Sequence, residues 1–444
     1  INEQLEGNFE GIGVEFMILD DTIVVVSALA GGPSEAAGIR AGDKIVEVGD
    51  SVIAGVDIDT RDVVGLLRGE KGSKVEVGIR RNGEFDLRRF TITRDEIPMH
   101  SVDVAYMLDR QTGYIKINRF SATTYEEFMQ GLEKLVEEGD MEDLIIDLRH
   151  NPGGYLQQAT NILSQLFEEK DRLLVYTEGR SVHRSNYETT GRAFYDIDDI
   201  VVLIDEGSAS ASEILAGAIQ DHDRGYIVGR RSFGKGLVQE QYRLRDGSAL
   251  RLTVARYYTP SGRSIQKDYD DVEHYGDDLQ ERLESGELTS ASKIPIEDTT
   301  RYFTSGGRVV YGGGGIMPDV FVPMNEVFVE ENYLNLRQLV PSYVYRFMEE
   351  RGDQIDHYTL EEFRRRFRVG AEIFRAFLKY AADEGLQADP LSEKEKKELK
   401  HYLKARIAKH LFDDPGFYQV WNSEDPFIEQ ALKTLNASKP ITSK

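Results

Sequence analysis

The sequence predicts a multidomain α/β protein: a mostly β module, then an α/β core with a buried sheet flanked by helices, then a helical C-terminal domain. Three observations predict this order. Short apolar runs separated by glycine turns fill the first hundred residues, and strand and helix patterns alternate from Gly113. Beyond about Val327, apolar residues recur at helical spacing among many charges. We expect domains at residues 8–98, 99–326 and 327–444, after a remnant of an N-terminal segment at 1–7.

In the first module, alternating apolar residues between turn signals predict short strands, and one amphipathic stretch predicts a helix over residues 60–67. A compact, mostly β module follows from these runs. The predicted strands cover residues 13–16, 22–27, 44–48, 74–80 and 88–92.

The second region alternates strands with helices, and two of its strands are continuous apolar runs that indicate burial on both faces. Functional sites in such sheets lie beyond the strand ends. We read the polar stretch 267–300 as a surface excursion or lid. The predicted strands are 114–117, 144–148, 200–204 and 250–258, and the predicted helices are 124–138, 155–167, 359–384 and 392–411.

Composition excludes several classes of function. The 444 residues carry 54 Lys and Arg against 78 Asp and Glu, a formal net charge of -24, which argues against a nucleic-acid partner. With no cysteine, thiol catalysis and thiolate metal sites are excluded. The eight histidines show no metal-ligand spacing, so we expect neither a metal nor another cofactor.

The segment 205–214 passes from a buried strand through small residues into a helix that begins near Ala211. Ser210 at this junction is exposed at the end of the sheet, and the Ala211 amide points to where an oxyanion would form. This geometry suits acyl transfer, although small residues at such a turn are also found in tight packing or as helix N-caps. Glu213, in the first helical turn, is expected to support the helix start.

A second segment places Lys235 between two glycines, with Gln239 four residues later. A lone lysine is usually a solvated surface charge, and only its neutral form can take a proton from a serine. Flanking glycines allow close, water-excluding packing that favours the neutral amine. The amide of Gln239 can orient that amine without adding a charge that keeps it protonated.

A third segment, Asn151-Pro152-Gly153-Gly154, follows a buried strand and precedes a predicted helix. Its backbone amides can converge on a negative oxygen, and a plain glycine turn is the alternative. Asp221 lies about three helical turns after Ser210, too far to contact the nucleophile, so a structural role is favoured.

The three segments together, at residues 147–154, 207–214 and 229–239, resemble the C-terminal processing (tail-specific) protease family. The resemblance runs from about Phe9 to Val322. It implies a serine endopeptidase with Ser210 as nucleophile and Lys235 as general base.

The same resemblance assigns further roles. It makes Gln239 the partner of the lysine, and it builds the oxyanion hole from the Ala211 amide with that of Gly153 or Gly154. It also marks Asp221 as important to the site.

Residues 10–14, 32–43 and 67–72 resemble, in this order, the PDZ domains of bacterial processing proteases. The loop Gly11-Ile12-Gly13-Val14 would present amides to a peptide carboxylate, while the strand after it pairs with the peptide. The expected partners are polypeptides with apolar C-terminal tails.

Two other functions stay open. A catalytically silent PDZ scaffold would bind tails without cutting them, and a Ser-His-Asp hydrolase would require His222 or His150. The helices after residue 327 are expected to pack on the core, self-associate or bind an adaptor. Because the chain starts at Ile1 and the family is usually exported, the resemblance implies a bacterial periplasmic or cell-envelope protein whose export signal is absent here.

Overall fold

The computed structural model describes residues 5–29, 31–180, 182–246, 248–267, 272–296, 298–386 and 390–438. The chain forms two compact units. One comprises the chain up to Met99 together with Val327–Trp421, and the other comprises His100–Glu326 together with the chain from Asn422 onwards. None of the described helices is long and apolar enough to cross a lipid bilayer.

The N-terminal module is mostly antiparallel β structure. Its five-stranded sheet has the order β2-β3-β4-β6-β7, with β2 at one edge, while β5 pairs with β4 and β1 with β8. The elements are β1 (Asn8–Gly11), β2 (Val14–Leu19), β3 (Thr22–Ala28), α1 (Pro33–Ala37), β4 (Lys44–Val48), β5 (Ser51–Val52), α2 (Thr60–Leu67), β6 (Lys74–Arg80), β7 (Arg88–Thr93) and β8 (Asp95–Pro98).

Local chemistry explains the predicted helix α2. The Asp59 carboxylate accepts hydrogen bonds from the Arg61 and Asp62 amides, both at 2.8 Å, and so caps the helix start. Val63 and Leu67 turn inwards and join the buried core of the module.

The second unit contains a six-stranded sheet, a four-stranded sheet and a two-stranded sheet, β18-β19. Its elements are β9 (Val102–Met107), β10 (Thr112–Ile117), α3 (Thr124–Glu138), β11 (Asp143–Asp147), α4 (Leu156–Leu163), β12 (Lys170–Glu178), β13 (Ser185–Thr190), β14 (Ile200–Ile204), α5 (Ala211–Asp221), β15 (Gly225–Gly229), β16 (Leu237–Arg243), β17 (Ala249–Tyr258), α6 (Val272–Ser285), β18 (Arg301–Phe303), β19 (Val309–Tyr311) and β20 (Val320–Phe321).

The larger sheet has the order β20-β15-β14-β11-β10-β9, and all of its pairings are parallel except that of β9 with β10. Every residue of β11 and β14 is buried, which explains the apolar run that fills β14 and the three apolar residues at the centre of β11. Because the strands are parallel, the loops after β11, β14 and β15 leave the sheet at the same edge. A smaller antiparallel sheet has the order β13-β12-β17-β16.

The helical region comprises α7 (Glu331–Arg351), α8 (Leu360–Arg366), α9 (Ala371–Asp383) and α10 (Glu393–Trp421), and α11 (Pro426–Ser438) follows. Helix α10 is kinked, because the backbone is non-helical at Phe412 and Asp413. Helices α7 to α10 lie in the unit of the β module, and α11 lies in that of the α/β core. Within the first unit, Asn82 of the module donates to Glu349 of α7 at 2.6 Å, and Lys409 of α10 lies 3.6 Å from Glu15. The predicted fold class is thus confirmed.

Three predicted elements differ from the structure. The helix predicted over 155–167 ends at Leu163, and the one predicted over 359–384 is broken after α8, with Gly370 as the extended N-cap of α9. The stretch 267–300 is more than a surface excursion, because it holds Arg282 and Glu287, whose side chains are 2% and 3% exposed. The many charged residues of this stretch predicted exposure to solvent, and that prediction was wrong because these charges pair with each other inside the protein.

Candidate active site

Ser210 lies between β14 and α5 in a backbone conformation that side-chain-bearing residues rarely adopt. Its φ is 56° and its ψ is -113°, and such a positive φ costs on the order of 1–3 kcal/mol. The sharp turn leaves Ser210 half-buried at the end of the sheet, directly before the first helical residue. There the Ala211 amide belongs to the positive end of α5.

The turn of residues 151–154 packs directly against this serine. A Cβ on Gly153, whose φ is 95°, would lie 2.7 Å from Ser210 Cβ and 2.9 Å from the Ala211 nitrogen. A Cβ on Gly154 would lie 2.1 Å from the carbonyl oxygen of Phe120. Both positions therefore require glycine.

Hydrogen bonds distinguish the two glycine amides. The Gly153 amide donates to Asn151 Oδ1 at 2.8 Å, and the Gly153 carbonyl accepts from the Phe120 amide at 2.9 Å. In the described part of the chain, the Gly154 amide makes no hydrogen bond. Since a trans peptide points its N–H away from its C=O, the Gly154 amide points away from Phe120. It is the better placed of the two to receive a ligand oxygen.

Glu213 joins the serine segment to the lysine segment. Its carboxylate is fully buried and accepts from the amides of Ser210 and Lys235 at 2.8 Å, from the Gly234 amide at 2.7 Å and from Ser232 Oγ at 2.5 Å. Burial raises the pKa of Glu213, although these four hydrogen bonds favour its charged form. Glu213 thus contacts the backbone of both segments.

Lys235 lies on the loop between β15 and β16 with a half-buried side chain. The Tyr257 hydroxyl is hydrogen-bonded to the Lys235 carbonyl and lies 3.1 Å from the Ser210 carbonyl. Among the residues that the structure describes, no hydrogen bond joins Ser210 Oγ to Lys235 Nζ. The structure therefore brings the two backbones together without a hydrogen bond between the two side chains in the described residues.

Gln239 follows on the edge strand β16, beside an irregularity in its pairing with β17. Its side chain is exposed, and it makes no hydrogen bond to Lys235 in the described part of the chain. The structure therefore does not bring this predicted partner into contact with the lysine.

Asp221 lies at the end of α5, buried, and away from the nucleophile. Its carboxylate accepts from Arg263 and from the Ser261 amide, at 2.8 and 3.0 Å. These contacts hold the turn that follows β17, the strand that carries Tyr257. This geometry fits the structural role that the sequence favoured.

Neither histidine weighed for a triad is bonded to the serine. His222 Nε2 lies 2.6 Å from the Leu173 carbonyl oxygen, and burial lowers the pKa of His222. His150 Nδ1 lies 3.0 Å from Asp205 Oδ2. Within the described residues, Ser210 Oγ has no hydrogen bond to either ring, so the geometry does not favour a Ser-His-Asp site.

Sequence reasoning missed a clamp on the lysine loop. Arg282 donates to the carbonyl oxygens of residues 231–233 at 3.1, 3.0 and 3.4 Å. Arg231 in turn makes two hydrogen bonds to Glu287, at 2.7 and 2.8 Å. The clamp fixes the backbone just before Lys235, and Arg282 and Glu287 both come from the stretch predicted to be a surface excursion.

The β module places its glycine loop beside the edge strand β2. The carbonyl of Ile12 accepts from the amide and hydroxyl of Ser34, at 3.0 and 2.6 Å, and that of Gly13 accepts from Leu29 at 3.0 Å. In the described residues the amides of Ile12 and Gly13 donate to no acceptor. They are therefore available to a ligand carboxylate, and among the described strands β2 has a neighbour on one side only.

Known families match three regions of the chain. Peptidase family S41 matches residues 111–273, the PDZ domain matches residues 24–81, and a family of unknown function (DUF8443) matches residues 332–413. The first match includes Ser210 and Lys235. The second begins after the glycine loop 11–14.

Individual proteins match over longer stretches. The carboxy-terminal processing protease CtpB of Bacillus subtilis (strain 168) is 38% identical over 270 residues, 60% of this chain and 55% of that protein. The carboxyl-terminal-processing protease of Synechocystis sp. is 34% identical over 322 residues, 70% of this chain and 72% of that protein. The chain thus spans little more than half of the first relative.

Among solved structures, the PDZ domain of a carboxy-terminal protease from Vibrio cholerae, in complex with peptide, is 34% identical. The match covers 21% of this chain and 99% of that domain, with a TM-score of 0.20.

Changing Glu213 to Gln tests its place between the two segments. The side-chain amide would turn N–H groups towards two of the four donors, so we expect the free energy of unfolding to fall by roughly 2–4 kcal/mol. Urea unfolding measures this, with Glu133→Gln on the exposed face of α3 as the matched control. Equal stability of both variants would contradict the assignment.

The His150 and Asp205 pair predicts a pH dependence. Contact with Asp205 raises the pKa of His150, while the pKa of Asp205 falls to about 2 because its contacts outweigh burial. The contribution of His150 to the free energy of unfolding is therefore fully present below the ordinary pKa of histidine, and it is lost as pH rises through the raised pKa.

Because the His150 side chain is 80% exposed, His150→Gln should cost less than about 1 kcal/mol at pH 6 and still less at pH 9. Unfolding at both pH values checks this, with His183→Gln as the control. A cost that grows with pH would contradict the pairing.

Proposed function

We propose that this chain is a serine endopeptidase that recognises polypeptide C-terminal tails through its PDZ domain. It belongs to the carboxyl-terminal-processing proteases, serine-type peptidases of family S41. The resemblance predicted from its three motifs is confirmed at the level of the family. The observation that carries the proposal is the Glu213 carboxylate, which binds the backbones of Ser210 and Lys235 together.

In the proposed reaction, neutral Lys235 takes the proton of Ser210 as Oγ forms a bond to the peptide carbonyl carbon. The C–N bond then breaks, and the lysine gives the proton to the leaving amine. Water hydrolyses the resulting ester with Lys235 again as base, which restores the serine. Gln239 is proposed to orient the amine from strand β16, by a side-chain movement that brings its amide to the lysine.

The oxyanion hole is proposed to consist of the Ala211 and Gly154 amides. The Ala211 amide belongs to the start of α5, and the Gly154 amide has no acceptor among the described residues, whereas the Gly153 amide is bound to Asn151. Donors aimed at a developing negative charge typically contribute on the order of 10²- to 10³-fold in rate. Gly153 serves instead as the close contact behind Ser210.

The PDZ domain is proposed to capture the substrate's C-terminus. The amides of Ile12 and Gly13, which donate to no acceptor among the described residues, would bind the carboxylate, and the edge strand β2 would pair with the peptide backbone. Phe16, Ile18 and Leu66 are partly buried apolar side chains on β2 and α2, which favours apolar tail residues. Export to the periplasm or cell envelope stays a prediction from the family resemblance.

Substitution of the two central residues tests the chemistry. Ser210→Ala and Lys235→Ala should lower kcat by at least on the order of 10⁴-fold on a flexible polypeptide with an apolar, free C-terminus. Lys235→Arg should be equally inactive, because a guanidinium keeps the positive charge but cannot act as a base.

Circular dichroism of each variant controls for folding. Undiminished cleavage by Ser210→Ala or Lys235→Ala would refute the mechanism. Binding without cleavage by the unmodified chain would favour the silent scaffold.

Peptide binding tests the PDZ assignment separately from catalysis. In the Ser210→Ala protein, amidation of an apolar peptide's C-terminus should weaken binding roughly tenfold or more, because charge-assisted hydrogen bonds to the carboxylate are lost. Calorimetric titration with the free and amidated peptides measures this. Equal affinity for both would show that the loop does not bind the carboxylate.

A further inference from the structure

We propose that residues 422–438, at and before α11, position the active site, with Asp425 and Phe427 holding the arginines of two catalytic motifs. This inference rests on the proposed function, because these residues act through Arg149 and Arg230 on the site of Ser210. All of the contacts involved lie within the unit that contains the α/β core.

Arg149 connects the glycine turn to Asp425. Its guanidinium lies 2.6 Å from Asp147 Oδ2 at the end of β11, and on its other side it donates to Asp425 Oδ2 at 2.7 Å. The side chain of Arg149 is 14% exposed and that of Asp425 is 5% exposed. Loss of either carboxylate would leave part of a buried cation uncompensated, two residues before Asn151.

Arg230 connects the other two motifs. It makes two hydrogen bonds to Glu206, at 2.7 and 3.1 Å, and both side chains are largely buried. Arg230 is five residues before Lys235, and Glu206 is four residues before Ser210. This ion pair therefore ties the start of the lysine loop to the start of the serine loop.

Phe427 lies between the two arginines. Its ring centre is 4.5 Å from the guanidinium carbon of Arg149 and 5.1 Å from that of Arg230, both within range of a cation–π interaction. The ring is nearly buried, and a Cβ on Gly229 would lie 2.9 Å from it. The Phe427 ring thus contacts the end of β15 and the guanidinium groups of Arg149 and Arg230.

The helix fixes this ring in place. Asp425 Oδ1 accepts from the Phe427 amide at 2.8 Å and caps α11, while Oδ2 holds Arg149. Buried Ala431 and Leu435 lie on the helix, which packs against β14 and β15. The outward pair of Glu429 and Lys433, 68% and 63% exposed, has no role in these contacts.

Each of the three motifs therefore contributes one charged side chain to the cluster around Phe427. Two of these side chains contact the ring, and the third binds Arg230. The glycine turn contributes Arg149, the serine segment Glu206 and the lysine segment Arg230. A change in this cluster alters the placement of the oxyanion donors and of the lysine loop together. This predicts an effect on turnover with little effect on peptide binding.

The test compares Asp425→Asn and Phe427→Leu with Glu429→Gln in the full chain. Asp425→Asn keeps the helix cap but removes the negative charge that faces Arg149. Phe427→Leu keeps an apolar side chain in place but removes the aromatic ring. We expect both to lower kcat about tenfold with KM within about twofold, and Glu429→Gln to match the unmodified chain. Asp425→Glu, which keeps the charge, should recover part of the loss.

Hydrogen exchange provides a readout that does not depend on activity. Exchange at residues 148–154 and 230–236 should quicken about tenfold in Asp425→Asn and Phe427→Leu, while α2 in the other unit is unchanged. Unaltered kcat, or unaltered exchange in these two segments, would overturn the inference.

If the unmodified chain shows no Ser210-dependent cleavage, the proposed function fails, and the exchange data alone then decide whether the cluster positions the motifs. If Phe427→Leu does not fold, Asp425→Asn decides the question.

Discussion

The buried carboxylate of Glu213 is the contact on which the rest of the site depends. Ser210 and Lys235 lie on loops that leave different strands, β14 and β15, and nothing in their local sequence brings them together. Glu213 does so by accepting from both backbone amides. A buried carboxylate is stable only with such hydrogen bonds. The same hydrogen bonds to Glu213 are therefore needed for the stability of the fold and for the geometry of the site.

Around this contact, charged pairs rather than apolar contacts hold the loops. Arg282 binds the carbonyls before Lys235, Arg230 pairs with Glu206, and Arg149 pairs with both Asp147 and Asp425. Buried ion pairs contribute little net stability but penalise any arrangement in which one partner is lost. They therefore suit loops that must keep one geometry at the edge of a sheet, next to a serine held at a positive φ.

The elements that could be predicted from the sequence are those that depend on neighbouring residues in the chain. The buried strand β14 is a continuous apolar run, β11 has three apolar residues between two aspartates, and α2 begins at a capping aspartate. Ser210 and Lys235 are predicted as catalytic residues from their glycine-rich surroundings and from the family resemblance. Tyr257 and Asp425 were missed because their partners, Ser210 and Arg149, are 47 and 276 residues away. No periodicity or motif signals contacts of that separation, and the charged stretch that contains Arg282 looked like solvent-exposed chain.

The most direct measurement is the site and rate of reaction with a serine-directed phosphonate, read by mass spectrometry of the intact chain and of its peptides. If Ser210 is a nucleophile activated by Lys235, the unmodified chain gains one adduct, which maps to Ser210. The Lys235→Ala chain then reacts at least about a hundredfold more slowly. An adduct on another residue, or equal rates in the two chains, would contradict the account.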